Sequence, residues 1–220
     1  MSAPRPVAFN DVRAGWDDVA ADARAAFDLV LASGAYVLGP EVAAFKAELA
    51  TQAGVAHAVG VGNGFDALAL VLRAWGVGPC DEVVVPAMTA VPTWMAPASL
   101  GATCVPVDVR EATGGLDPDR LEQALTPRTR AIVLVHLYGI PAEVGAIAAI
   151  AAARGIPVLE DAAQAQGARL GGRPVGGLTQ AAALSFYPTK NLGATRRRAR
   201  RRGRRPGRCR TGRRCRPRRR

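Results

Sequence analysis

The sequence predicts an α/β fold in which a mostly parallel sheet is covered by helices on both faces. Short runs rich in β-branched residues alternate with helix-like runs of about ten or more residues, which indicates parallel βαβ units. No repeat at the period of a solenoid protein is visible. Residues 1–194 are rich in Ala, Val, Gly and Leu and are long enough to bury the core of one domain.

The predicted elements follow one another regularly along the chain. Apolar residues at helical spacing predict a helix over residues 41–53, which Gly54 would end. A short apolar, strand-like segment at 57–61 then leads through Gly62-Asn63-Gly64 into a helix over 65–75. The remaining predicted strands are 82–86, 103–109, 131–137, 156–161 and 181–186, and the remaining predicted helices are 91–100, 116–125 and 142–155.

The average charge hides two different segments. The chain has 29 Lys and Arg against 18 Asp and Glu, a net charge of +11 that alone would suggest nucleic acid or another anionic partner. Residues 195–220 hold 16 of the arginines and no acidic residue, so residues 1–194 carry 13 basic and 18 acidic side chains. The net charge of that longer segment, about −5, resembles that of an ordinary soluble enzyme.

Targeting signals are not visible in the sequence. It shows neither a charged-then-apolar N-terminal signal nor an apolar stretch of about 18 residues. We therefore expect a soluble, cytoplasmic protein without a membrane segment.

Gly62-Asn63-Gly64 is the first candidate site, because it lies directly before a predicted helix. The N–H groups of Gly64, Phe65 and Asp66 would point at whatever occupies the helix N-terminus, and a phosphate is the favoured ligand there. The alternative is a tight turn that merely needs glycine.

Asp161 and Lys190 are the other two candidates, and each follows a predicted strand. Ligands of an open α/β sheet bind at the carboxyl ends of its strands. Asp161 could cap a helix or hold a pyridine nitrogen protonated, but no His or Cys accompanies it, so we expect no metal site. Lys190 lies in a turn that would suit a Schiff-base lysine, although a turn lysine is more often a solvated charge. The chain's other lysine, Lys46, is expected on a polar helix face.

Five blocks carry a resemblance to a known family. In order, they are GNGFDALAL, VPTWMAPASLGAT, VHLYGIPAE, EDAAQAQGA and SFYPTKNLGA. They resemble the sugar-nucleotide aminotransferases of the DegT/DnrJ/EryC1/StrS family, and the likeness covers about residues 8–194. It implies the large domain of a pyridoxal 5′-phosphate (PLP)-dependent transferase of the aspartate aminotransferase fold, type I.

The resemblance also implies roles for individual residues. Lys190 matches the lysine that binds PLP covalently and then acts as the catalytic base. Asp161 matches the acid that pairs with the pyridine nitrogen, and Gln164 matches a residue that faces the cofactor ring.

The phosphate and the ring face of the cofactor have their own matches. Ser185 matches a phosphate-binding hydroxyl, joined by the amides of Gly64 and Phe65. Many relatives have threonine at the position of Phe65, so one side-chain hydrogen bond to phosphate would be lost here. Trp94 matches an aromatic ring that stacks on the cofactor, and the alternative is a tryptophan that packs in the core or between helices.

The implied reaction is the transfer of an amino group from glutamate or glutamine to a nucleoside-diphosphate keto-deoxysugar. Dehydratases of the family carry histidine at the lysine position, so Lys190 favours transamination. The motifs look most like the branch that acts on 3-keto-6-deoxyhexoses in antibiotic sugar pathways. Two alternatives stay open, a PLP-binding regulatory protein without turnover and nucleic-acid binding through the arginine-rich segment.

The match to the family stops after Ala194. Relatives continue into a C-terminal domain that helps to build the site at a homodimer interface, and this domain is expected to be missing here. Residues 195–220 contain arginine without aromatic side chains and are expected to be disordered. Our hypothesis is that this segment is a frameshift product. Residues 1–194 would then form an incomplete PLP-binding domain, and the chain as written would have impaired activity.

Overall fold

The computed structural model describes residues 16–193 as alternating helices and strands. The helices are α1 (Trp16–Ser33), α2 (Pro40–Ala53), α3 (Gly64–Ala74), α4 (Val91–Ser99), α5 (Pro118–Ala124) and α6 (Val144–Ala153), with a 3₁₀ turn at Leu137–Gly139. The strands are β1 (Glu82–Pro86), β2 (Thr103–Val107), β3 (Thr129–Val135), β4 (Val158–Asp161), β5 (Arg169–Leu170), β6 (Arg173–Pro174) and β7 (Ala181–Ala183). The arginine-rich segment 195–220 and the domain limit at Ala194 lie outside the described residues, and so does the frameshift hypothesis.

The sheet is parallel and has helices on both faces, which confirms the predicted fold class. Within residues 16–193, five strands pair in the order β2-β1-β3-β4-β7, and every pairing is parallel. The two-residue strands β5 and β6 form a separate antiparallel pair. None of the described helices has the length and apolar character needed to cross a bilayer.

Successive residues of the central strands feed two separate cores. In β3, Ile132 and Leu134 pack with α5 and α6, whereas Ala131 and Val133 pack with α3 and α4. Side chains of a strand alternate between the two faces of a sheet, so a sheet buried on both faces needs apolar residues at every position. This alternation continues to the carboxyl ends of the strands, where it decides which side each polar residue faces.

The structure corrects several sequence predictions. Residues 57–61 are not a strand: they pair with none of the described strands, and a strand cannot exist without a neighbour for its backbone groups. Helix α1 was not predicted, and large apolar side chains such as Phe27 and Leu29 are exposed on it. Most other element ends move by one to three residues, as expected where helices and strands fray.

Candidate active site

A cavity of about 1020 Å³ opens at the carboxyl edge of the sheet. Open α/β sheets bind their ligands at this edge. Residues from separate parts of the chain line the cavity, and six of the predicted site residues are among them: Gly64, Phe65, Asp161, Gln164, Ser185 and Lys190. The fold therefore gathers these six residues around one space.

One end of the cavity is formed by the N-terminus of α3. Asn63 caps this helix, because its Oδ1 accepts a hydrogen bond from the backbone N–H of Asp66 at 2.9 Å. The Asp66 N–H is therefore already used, contrary to the sequence prediction that it would face a ligand. The N–H groups of Gly64 and Phe65 belong to the first turn, where a helix supplies no acceptor, so they are the groups left for an anion.

Gly64 lies directly against Ser185. A Cβ atom built on Gly64 would be 3.0 Å from the Cβ of Ser185 and 3.4 Å from the carbonyl oxygen of Leu184. Only glycine allows this approach without movement of the neighbouring backbone. The first amides of α3 and the Ser185 hydroxyl therefore converge, and this pairing suits a phosphate group.

Asp161, the last residue of β4, lies on the cavity wall with only 5% of its surface exposed. Its Oδ2 accepts a hydrogen bond from the Thr93 hydroxyl at 2.7 Å, and its Oδ1 accepts one from the Ala163 N–H at 3.2 Å. Burial raises the pKa of Asp161 above its ordinary value, and the bonds from Thr93 and Ala163 and the charge of Lys190 offset this rise only in part. A carboxylate in this position is short of a positive partner.

Glu160 precedes Asp161 on β4 and faces the other side of the sheet, where it is fully buried. Its two oxygens accept hydrogen bonds from two side chains, His136 Nε2 at 3.1 Å and the Thr179 hydroxyl at 3.3 Å. They also accept three backbone hydrogen bonds of 2.8 Å each, from the N–H groups of Gly176, Leu178 and Thr179. His136 Nδ1 accepts from the Ala142 N–H at 3.0 Å, so the ring proton is on Nε2. Although burial raises the pKa of Glu160, the bonds from His136 and the three amides outweigh it and hold that pKa below its ordinary value.

Lys190 lies in a turn closed by a hydrogen bond from its own N–H to the Tyr187 carbonyl at 2.8 Å. Two side chains fasten this segment to the loop that follows Asp161. Gln166 Nε2 donates to the Ser185 carbonyl at 2.6 Å, and Asn191 Nδ2 donates to the Gln166 carbonyl at 2.8 Å. These bonds fix the backbone on both sides of Lys190 and leave its side chain to reach into the cavity.

The sequence predicted Lys46 on a polar helix face, and the structure places it on the wall of a cavity. The residue is half-buried and lines the same cavity as Lys190. Both lysines of the chain therefore face one space, and experiments must distinguish between them.

Gln164 and Trp94 occupy different environments. Gln164 lines the cavity, and its Oε1 accepts a hydrogen bond from the Tyr138 N–H at 2.8 Å, which leaves its Nε2 as the donor end. Tyr138 adopts a left-handed backbone conformation with φ 55°, which costs free energy in a residue with a side chain. Trp94 packs, partly buried, with the core beneath α3 and α4 and is not among the cavity-lining residues. These are the contacts of a packing tryptophan, and ring stacking by Trp94 stays a prediction.

Sequence reasoning missed Thr93, the only described side chain that donates a hydrogen bond to Asp161. It lies next to Trp94 on α4, is fully buried, and also bonds Thr89 with 2.8 Å between the two hydroxyl oxygens. The available signal was a pair of threonines four residues apart, Thr89 just before and Thr93 within the helix predicted over residues 91–100. Because the residues beside Thr93 in the sequence are apolar, Thr93 was not recognised as a candidate site residue.

The described residues fit PLP, the cofactor that the resemblance implies. Gly64, Phe65 and Ser185 offer donors to a phosphate, and Asp161 offers a buried carboxylate to a protonated ring nitrogen. Lys190 supplies an amine on the same cavity. Within residues 16–193, no cluster of His, Cys, Asp and Glu could hold a metal ion.

The raised pKa of Asp161 predicts a pH effect on the cofactor-free protein. The folded state holds the carboxyl proton more tightly than the unfolded chain does, so ionising Asp161 costs stability as the pH rises above about 4. We expect the free energy of unfolding of Asp161→Asn, relative to the unchanged chain, to increase with pH between about pH 4 and pH 8. Urea unfolding at several pH values measures this difference. A difference that stays constant with pH would contradict the buried, ionisable Asp161.

Comparisons with known proteins show the family to which the chain is similar. Residues 17–196 match the model of the DegT/DnrJ/EryC1/StrS aminotransferase family. The dTDP-3-amino-3,4,6-trideoxy-α-D-glucose transaminase of Streptomyces venezuelae is 50% identical over 187 residues, which cover 85% of this chain and 49% of that protein. The chain thus spans about half the length of the curated relatives it matches.

Solved structures show the same fold. The crystal structure of S. venezuelae DesV in complex with a ketimine intermediate has a TM-score of 0.83 and 49% identity, and the match covers 88% of this chain and 52% of that chain. The PLP-form of Spr1654 from Streptococcus pneumoniae has a TM-score of 0.68 and 31% identity, over 70% of this chain and 43% of that chain. Proteins of this family depend on PLP. Because the family model matches most of the described residues and the fold agrees, the chain belongs to the DegT/DnrJ/EryC1/StrS aminotransferase family.

Proposed function

We propose that this chain carries the cofactor-binding part, residues 1–194, of a PLP-dependent aminotransferase. The enzyme transfers an amino group from glutamate or glutamine to a nucleoside-diphosphate keto-deoxysugar. One observation carries the proposal: a buried carboxylate that is short of a positive partner, Asp161, lies on the same cavity as Lys190 and the Gly64–Ser185 pair.

Each residue has a separate task in this reaction. The amides of Gly64 and Phe65 and the hydroxyl of Ser185 hold the cofactor phosphate. Asp161 keeps a proton on the ring nitrogen, and the positive charge there stabilises the buried carboxylate. When bound, PLP supplies an electron-accepting ring.

Lys190 would hold the cofactor covalently through Nζ, and the same amine, when free, would be the base that takes the proton from the donor's α-carbon. Because the backbone around Lys190 is fastened through Gln166 and Asn191, the amine would stay within reach of the cavity.

The sugar in the proposal is a 3-keto-6-deoxyhexose. It is supported by the S. venezuelae relative, whose name specifies a dTDP sugar with an amino group at carbon 3. The proposal includes a cytoplasmic location and a homodimer. Exposed apolar side chains on α1 and α2, such as Leu29 and Phe45, support the homodimer, because a second protein surface would cover them.

Transfer of labelled nitrogen tests the function. We expect that a version of this chain that continues in frame through the C-terminal domain of its relatives, loaded with PLP, moves ¹⁵N from glutamate or glutamine into a dTDP-3-keto-6-deoxyhexose, as detected by mass spectrometry of the sugar nucleotide. If this extended protein bound PLP but transferred no label to this or any other keto sugar, the result would contradict the proposal and favour a regulatory PLP-binding protein. Omitting the amino donor is the control for label that arises without transfer.

A further inference from the structure

We propose that Thr93 is a positioning residue that holds the Asp161 carboxylate in one orientation toward the cavity, and that Thr89 orients Thr93. The proposal rests on the proposed function, in which Asp161 faces a positively charged ring nitrogen. Thr93 itself does not line the cavity and acts only through Asp161.

The geometry fixes the direction of these hydrogen bonds. Thr93 has one hydroxyl proton, and an ionised Asp161 can only accept, so that proton lies on the 2.7 Å bond to Asp161 Oδ2. The Thr93 oxygen must then accept the proton of Thr89 across 2.8 Å. Thr93 is fully buried, so its hydroxyl is not in contact with water.

The two bonds to Asp161 also fix the plane of its carboxylate. Thr93 bonds Oδ2, and the Ala163 N–H bonds Oδ1 at 3.2 Å, so each oxygen has one protein donor. The lone pairs that remain are those available to a group in the cavity. Without Thr93 the carboxylate would keep only the longer bond from Ala163, and its plane could rotate.

The charge of Asp161 depends on the same hydroxyl. The ionisable groups that face Asp161 from neighbouring elements are Lys190, beyond β7, and His136, at the end of β3, and both favour its charged form. From α4 the only donor is Thr93, and a hydrogen bond to a carboxylate favours its charged form.

A cycle of variants in the cofactor-free chain tests this role without using activity. Thr93→Val keeps the shape and removes the hydroxyl, and Thr93→Ser keeps the hydroxyl. We expect the loss of stability in Thr93→Val to grow as the pH rises from about 4 to 8, because the charged Asp161 loses its donor. The loss of stability in Thr93→Ser should not increase with pH. In an Asp161→Asn background the loss should not vary with pH, and a pH-independent loss in the unchanged chain would overturn the proposal.

PLP affinity gives a second, independent measurement. We expect Thr93→Val to weaken PLP binding about tenfold or more, as measured by equilibrium dialysis, because a hydrogen bond to a charged group is lost. Thr89→Val should act in the same direction with a smaller effect, and it serves as the second variant if Thr93→Val does not fold. Equal affinity in these variants would overturn the proposal. If the unchanged chain bound no PLP, the proposed function would fail, while the pH cycle would still decide the role of Thr93.

Discussion

In a version of the chain extended in frame by the C-terminal domain of its relatives, the Lys190→Ala variant is expected to lose at least about 10³-fold in amino transfer while it still binds PLP noncovalently. The substitution removes both the covalent attachment and the base that takes the α-carbon proton. The phosphate donors and Asp161 remain in place, so the cofactor keeps its other contacts. Labelled-nitrogen transfer measures the first effect, and equilibrium dialysis with PLP measures the second.

Lys46 provides the matched control for this prediction. It is the only other lysine in the chain and lines the same cavity, so Lys46→Ala changes the local charge equally. We expect this variant to keep most of the transfer activity. Borohydride reduction followed by peptide mapping should place the PLP adduct on Lys190. An adduct on Lys46, or turnover that persists in Lys190→Ala, would contradict the assignment.

The Glu160→Leu variant is expected to lose at least about 4 kcal/mol of folding free energy. The substitution leaves His136 Nε2 and the N–H groups of Gly176, Leu178 and Thr179 without their acceptor. Each buried donor that loses its partner costs about 1–3 kcal/mol. Since a typical domain is stable by only about 5–15 kcal/mol, the loss should be visible in urea unfolding of the cofactor-free chain.

Two variants separate the hydrogen bonds of Glu160 from its size and charge. Glu160→Gln keeps the size and one acceptor oxygen, so we expect a smaller loss of about 2 kcal/mol. Glu122→Leu makes the same change as Glu160→Leu on the surface, where the Glu122 side chain is 67% exposed, and should alter stability by less than about 0.5 kcal/mol. A loss in Glu160→Leu no larger than that in Glu122→Leu would show that the buried bonds contribute little.

The fold class and much of the site follow directly from the sequence. Buried parallel strands appear in the sequence as runs of Val, Ile and Leu, so a polar residue at the end of such a run is easy to recognise. Asp161 and Lys190 were found in this way, and their positions on the cavity confirm that the strands end where predicted to within a few residues. Gly64 was found because a Gly-x-Gly turn that leads into a helix is a frequent phosphate-binding arrangement.

Other features could not be predicted because they depend on neighbours distant in the chain. The segment 57–61 has the composition of a strand, but the described sheet provides no partner for it. Thr93 and Trp94 are adjacent on a helix and point about 100° apart, so only one of them can face Asp161. The sequence made the large aromatic residue the better candidate, whereas the short hydroxyl side chain makes the contact.

Because the carboxylates Glu160 and Asp161 are adjacent in β4, the number of residues in this strand determines which face each of them occupies. Glu160 and Asp161 pair with Ala182 and Ala183 of β7 and face opposite sides of the sheet. Inserting or deleting one residue in β4 would turn every later side chain of the strand to the other face, so that Asp161 would point away from the cavity. The turn of Gly171 and Gly172 is exposed, and a Cβ atom built on either glycine would meet open space. We therefore expect deep insertion and deletion scanning to find β4 intolerant and the Gly171–Gly172 turn permissive.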